Sequence, residues 1–128
     1  MIEHDLETLI NAVEWTVDDE GITKTTYVYT EDATKGFTTR SYGTAVKIVI
    51  YPSTGSMLRG SGRYKIVLYE GDLIVYGSSI TSLRTAESEL QEIADTEPFL
   101  IFISNGILGH PLQTSYQLRV RYEWTKLE

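Results

Sequence analysis

The sequence predicts an α+β fold: a mainly antiparallel sheet of about six to eight strands, one clear helix over 82–95 and a short N-terminal helix. Three observations carry this. The apolar residues are largely β-formers, with nine Tyr among 128 residues and many Val and Ile, types that fit a pleated, half-buried surface. Several segments alternate apolar and polar residues, most cleanly Tyr116, Leu118, Val120, Tyr122 and Trp124 against Gln117, Arg119, Arg121 and Glu123. One segment carries a long stripe at helical spacing, Leu83, Ala86, Leu90, Ile93 and Ala94, with Glu87, Glu89, Glu92 and Asp95 opposite. The length fits a single domain, 1–128, with a real core.

The elements follow in order. Ile2, Leu6, Leu9, Ile10 and Val13 recur at helical spacing, which predicts a short amphipathic helix with Glu3 and Glu7 outside. Val13, Trp15 and Val17 then alternate as a half-buried strand, closed by a turn at Asp18-Asp19-Glu20-Gly21. Ile22–Thr30 reads as a second strand. Glu31–Gly43 is polar and long, a connection that Phe37 pins to the core. Thr44–Tyr51 is a strand with Val46, Ile48 and Ile50 on one face. Residues 52–62, PSTGSMLRGSG, hold three Gly, three Ser and a Pro, which predicts an irregular loop. Arg63–Tyr69 and Asp72–Tyr76 flank Glu70-Gly71 as a two-residue hairpin, with both faces of these strands covered. Ser82 or Thr85 caps the helix, and Pro98 ends it. Phe99–Ser104 is apolar on both faces, which predicts a central strand. Asn105-Gly106 is a hairpin signal returning the chain through Ile107-Leu108, and Pro111 stops pairing or confines it to an edge. Ser115–Thr125 is the last strand.

Composition excludes several functions. There is no cysteine, hence no disulfide scaffold, thiolate metal site or cysteine nucleophile. The net charge is −7, with seven acids and no base in residues 1–20 and five acids and no base in 87–97. That pattern argues against a phosphate backbone as partner. No apolar run approaches a membrane span, and the acidic N-terminus is unlike a secretory signal. His4 and His110 have no metal-ligand spacing. Gly77-Ser78-Ser79 lacks the flanking glycine of a nucleophile elbow, and Gly55, Gly60 and Gly62 come without the lysine of a phosphate loop. No catalytic, metal or cofactor site is expected, and the chain does not read as an enzyme.

What stands out is surface. Met57 and Leu58, in the middle of a polar loop, either fold back onto the sheet or form an arm that buries them in a neighbouring subunit, anchored by Arg59. Arg119 and Arg121 are either an ordinary solvated strand face or a partner for the acidic region of another copy. Met57, Leu58, Arg59, Arg119 and Arg121 are therefore the candidate interface residues.

The stretch Leu83–Trp124 orders a helix, a hydrophobic strand, a turn and a long terminal strand ending Leu118-Arg119-Val120-Arg121-Tyr122-Glu123-Trp124. In this order it resembles the C-terminal half of phage tail-terminator and neck-completion proteins. The resemblance implies a structural, non-enzymatic role in a virion or the host cytoplasm: completing a tail or neck by forming a homo-oligomer and joining other assembly proteins. The alternative is a small acidic monomer that binds or inhibits a basic partner protein.

Overall fold

In the computed structural model the described residues are 2–17, 20–22, 24–28, 46–109 and 116–128. The expected turn residues Asp18 and Asp19, the connection around Phe37, and His110 with Pro111 lie outside them. The chain runs α1 (Ile2–Asn11), β1 (Trp15–Val17), β2 (Glu20–Ile22), β3 (Lys24–Val28), β4 (Val46–Ile50), β5 (Thr54–Ser61), β6 (Tyr64–Gly77), α2 (Ile80–Thr96), β7 (Leu100–Leu108) and β8 (Tyr116–Leu127). β1 and β2 form a small antiparallel pair. The other six strands form one sheet in the order β3-β4-β6-β8-β7, with β5 also on β6. Among the described residues only the β3–β4 contact is parallel. This is the α+β, β-rich architecture the pattern predicts.

Both helices lie on one face of the sheet. Ile2, Leu6 and Ile10 of α1 and Leu83, Ala86, Leu90 and Ile93 of α2 pack on Val46, Ile48, Ile50, Leu73, Val75, Leu118, Val120, Tyr122 and Trp124. The alternation of β4 and β8 thus reads directly as the core face. α2 starts one residue after its cap: Ser79 is extended, and its side chain accepts from the Ser82 N–H, so the cap is neither Ser82 nor Thr85. On the opposite face Val49 and Tyr76 are buried, and Ile66, Leu68 and Ile74 are half-buried. Among the described residues no helix is long and apolar enough to cross a membrane.

Four expectations are corrected. Glu70-Gly71 is not a turn: β6 is continuous over 14 residues. Gly71 is there because Tyr122 of β8 pairs directly opposite it, and a Cβ at 71 would overlap the Tyr122 hydroxyl. The glycine marks a close approach within a strand. Second, 52–62 is not an irregular loop. Its residues 54–61 are β5, antiparallel to β6, and the turn is Gly62-Arg63, where Gly62 takes φ 54°. Ser and Gly composition suits a strand with no core face. Third, the expected central strand Phe99–Ser104 starts at Leu100 and belongs to an edge strand: β7 pairs with β8 alone among the described residues. Fourth, Asn105-Gly106 is a bulge. The β7–β8 register shifts between Ser104 and Ile107, Gly106 has φ 91°, and β7 runs on to Leu108.

Candidate functional site

Among the described residues, the outer strand of the β5–β6 hairpin pairs with β6 alone. Every residue of β5 is exposed; Met57 keeps 65 % and Leu58 59 % of its surface in solvent. Neither folds into the core. Leu58 is the extra residue of a bulge, since Met57 pairs with Val67 and Arg59 with Ile66. Bulges twist an edge and re-aim its side chains. The tip is cationic: Arg59, Arg63 and Lys65 are all exposed, and none has an ion-pair partner among the described residues. Beneath it, on the face away from the helices, Arg59, Ser61, Tyr64, Ile66 and Leu127 line an open depression of about 270 Å³.

The opposite side of the sheet ends in β7. This strand, LIFISNGIL, contains no charge, although charged residues are what usually protect an edge from unwanted pairing. Ile101 and Ile103 stand 52 % and 42 % exposed. Gln91 of α2 donates to the Phe102 carbonyl at 2.8 Å, and no other strand pairs with the outer edge among the described residues. Just before it, Phe99 is 76 % exposed and holds φ 62°. A bulky residue in the left-handed region is uncommon, and here its ring points into solvent. Glu92, Asp95 and Glu97 surround the C-terminal end of α2, which has no base in its last turn. They too lack an ion-pair partner among the described residues, and the negative end of the helix dipole makes this an unfavourable place for carboxylates.

Arg121 and Arg119 lie elsewhere, on the helix-free face of β8. Arg121 is engaged within the chain, donating to Glu70 and, at 3.2 Å, to Glu123. The bond to Glu123, with help from Glu70 and Asp72, raises its pKa against desolvation. Arg119 is exposed. The five candidate residues therefore do not form one patch: Met57 pairs with Val67, whereas Arg121 pairs with Asp72 on the other side of β6, about 17 Å along the strand. The Arg pair belongs to a charged strip on the sheet surface, and the open edges are the unusual features.

Between β4 and β5 the strand is interrupted at Tyr51-Pro52-Ser53: the Tyr51 N–H still donates to the Asp72 carbonyl at 2.9 Å, and side chains hold the other backbone groups. Tyr122 donates to the Tyr51 carbonyl at 2.7 Å; burial pushes its phenol pKa well up. Glu3, expected outside, is 7 % exposed, and its Oε1 accepts from the Ser53 N–H at 2.7 Å and the Ser53 hydroxyl at 2.8 Å. Burial pushes the Glu3 pKa up, but the two Ser53 bonds, its own backbone N–H and the N-terminal charge together outweigh it, and the net shift is down. This pair anchors the root of the hairpin to the helix layer.

Sequence reasoning singled out Met57, Leu58 and Arg59, which lie exposed on β5, and did not single out Phe99, the β7 edge or Glu3. An uncharged strand was read as central because apolar residues on both faces normally mean cover on both.

No protein-family model and no curated protein matches the chain. Chemistry at the site therefore rests on geometry alone. His4 is exposed beside Glu7, at 3.5 Å, and no group of three His, Asp or Glu gathers among the described residues. Lys24 sits 5.2 Å from the Trp15 ring centroid and donates to the Val13 carbonyl. Burial lowers its pKa, while Glu14 and Glu89 pull the other way. What the two open edges offer is backbone pairing with side-chain specificity, the chemistry of strand addition.

Proposed function

We propose that the chain is a non-enzymatic assembly subunit of a virion, which completes a tail or neck by forming a homo-oligomer and joining other assembly proteins. The observation that carries the assembly reading is the uncharged, apolar edge β7 on one side of the sheet with the uncovered strand β5 on the other. A long exposed apolar edge is a liability for a monomer and an asset for a protein that pairs. The viral setting is supported by the resemblance of Leu83–Trp124 to tail-terminator and neck-completion proteins.

The test is the solution mass by light scattering over a wide concentration range. A discrete multiple of the 14.5 kDa chain is expected. A strict monomer at the highest concentration contradicts self-assembly and favours the alternative, a small acidic module that binds or inhibits a basic partner.

A further inference from the structure

We propose that copies join head to tail by antiparallel pairing of β5 of one with β7 of the next, and that the cationic hairpin tip seats on the acidic C-terminal end of the neighbour's α2. This rests on the assembly reading and specifies its surface.

Strand polarity comes first. β5 is antiparallel to β6, β6 to β8, and β8 to β7. The two edges of this four-strand unit therefore run in opposite directions. Two copies set side by side in the same orientation bring β7 against β5 with the antiparallel polarity that a sheet extends most readily. The strands match in length, eight residues in β5 and nine in β7.

Charge gives the second argument. In that pairing the end of β5 meets the start of β7. Arg63 in the turn and Lys65, which shares the helix-side face of β6, then approach Glu92, Asp95 and Glu97 of the other copy. Each group is unpaired within its own chain among the described residues, and the carboxylates stand at the wrong end of a helix dipole. Cations from a neighbour offset both penalties. A two-fold pairing of β7 with β7 leaves the cationic tip unused.

The exposed ring of Phe99 also finds a place. It precedes β7 at the level of the neighbour's hairpin tip, beside the depression lined by Arg59, Ser61, Tyr64, Ile66 and Leu127. A strained, solvent-exposed aromatic becomes an anchor once it is buried there.

The stagger of the edges is compatible with closure. β5 lies alongside Tyr64–Glu70 of β6, whereas β7 lies level with Tyr69–Tyr76 through β8. That offset is about 18 Å along the strands, over a width of about 19 Å for four strands. Copies related by this step tilt their strands roughly 45° from the assembly axis, near the tilt at which sheets close on themselves.

The absence of cysteine makes the test clean. Ser61→Cys on β5 and Ile101→Cys on β7 are prepared as separate variants and mixed. They are joined by oxidation and by a short bismaleimide, which tolerates a one-residue slip in register. Cross-linked dimers are expected in the mixture at least tenfold above either variant alone. Efficient linkage of Ile101→Cys to itself would replace the proposal with two-fold pairing. Absence of the mixed cross-link in a sample that light scattering shows to be oligomeric would overturn the edge assignment and leave the assembly reading standing, whereas a monomer would sink the assembly reading itself. As a second readout, Arg63→Glu with Lys65→Glu should weaken association at least tenfold, and a copy carrying Asp95→Lys and Glu97→Lys should restore it. Loss without rescue counts against the charge contact. All six positions are exposed or half-exposed, so the fold tolerates these changes.

Discussion

Replacing Glu3 by Gln should destabilise the fold by a pH-dependent amount, because one ionised carboxylate closes the break in the β4–β5 edge. Glu3 Oε1 accepts two hydrogen bonds from Ser53, at 2.7 and 2.8 Å. Hydrogen bonds to a charged acceptor contribute about 1.5–3 kcal/mol and neutral ones about 0.5–1.5. Glu3→Gln keeps shape and one acceptor but loses charge, so the expected loss near pH 7 is about 1–2 kcal/mol. The sign with pH follows from linkage. The folded pKa of Glu3 is below its ordinary value, so the unfolded chain binds the proton more readily. The stabilisation is complete above the ordinary glutamate value and is lost as pH falls through the lowered folded value. Urea unfolding of both proteins near neutral pH and near about pH 2.5 measures the gap at each. The gap should shrink towards zero as the pH falls through the lowered folded value and the carboxylate takes up its proton. A gap that is absent at neutral pH, or that persists unchanged in acid, refutes the role assigned to the carboxylate.

Gly71→Ala should lose about 2–4 kcal/mol in urea unfolding, since its methyl group displaces the buried Tyr122 ring and breaks the bond to the Tyr51 carbonyl; a change below about 0.5 kcal/mol would mean the strand there is not as close-packed as described. Met57→Ser with Leu58→Ser should leave monomer stability within about 1 kcal/mol, because both are mostly exposed, while reducing the oligomer fraction in light scattering. A large loss of monomer stability would put these residues in the core. Phe99→Asn relieves about 1 kcal/mol of left-handed backbone strain and gives up a similar amount of ring burial. Its melting temperature should therefore stay close to that of the parent while association weakens, and unchanged association would remove Phe99 from the interface.

The parts of the fold that were legible in the sequence are those where periodicity and burial coincide. Leu118, Val120, Tyr122 and Trp124 alternate, and they are the core face of β8. Leu83, Ala86, Leu90 and Ile93 recur at helical spacing, and they are the buried stripe of α2. What misled was glycine. Gly71 and Gly106 read as turns by composition, yet one makes room for Tyr122 and the other forms a bulge, and a local sequence window contains neither the opposing strand nor its aromatic ring. The same blindness hid the role of Glu3, whose partner is fifty residues away. β5 was identified as unusual because Met57 and Leu58 stand in a polar context. Its extended conformation was not legible, because it comes from pairing with β6 and not from its own propensity.

Residue-level hydrogen exchange across a concentration series tests most directly whether the sheet edges are the assembly surface. The outward amides of an edge strand exchange quickly in a monomer and slowly once paired. The account predicts protection that rises with concentration and concentrates in β5 (Thr54–Ser61) and β7 (Leu100–Leu108), with the central strands β6 and β8 unchanged. Protection that ignores concentration, or that appears on the helices instead, would contradict it.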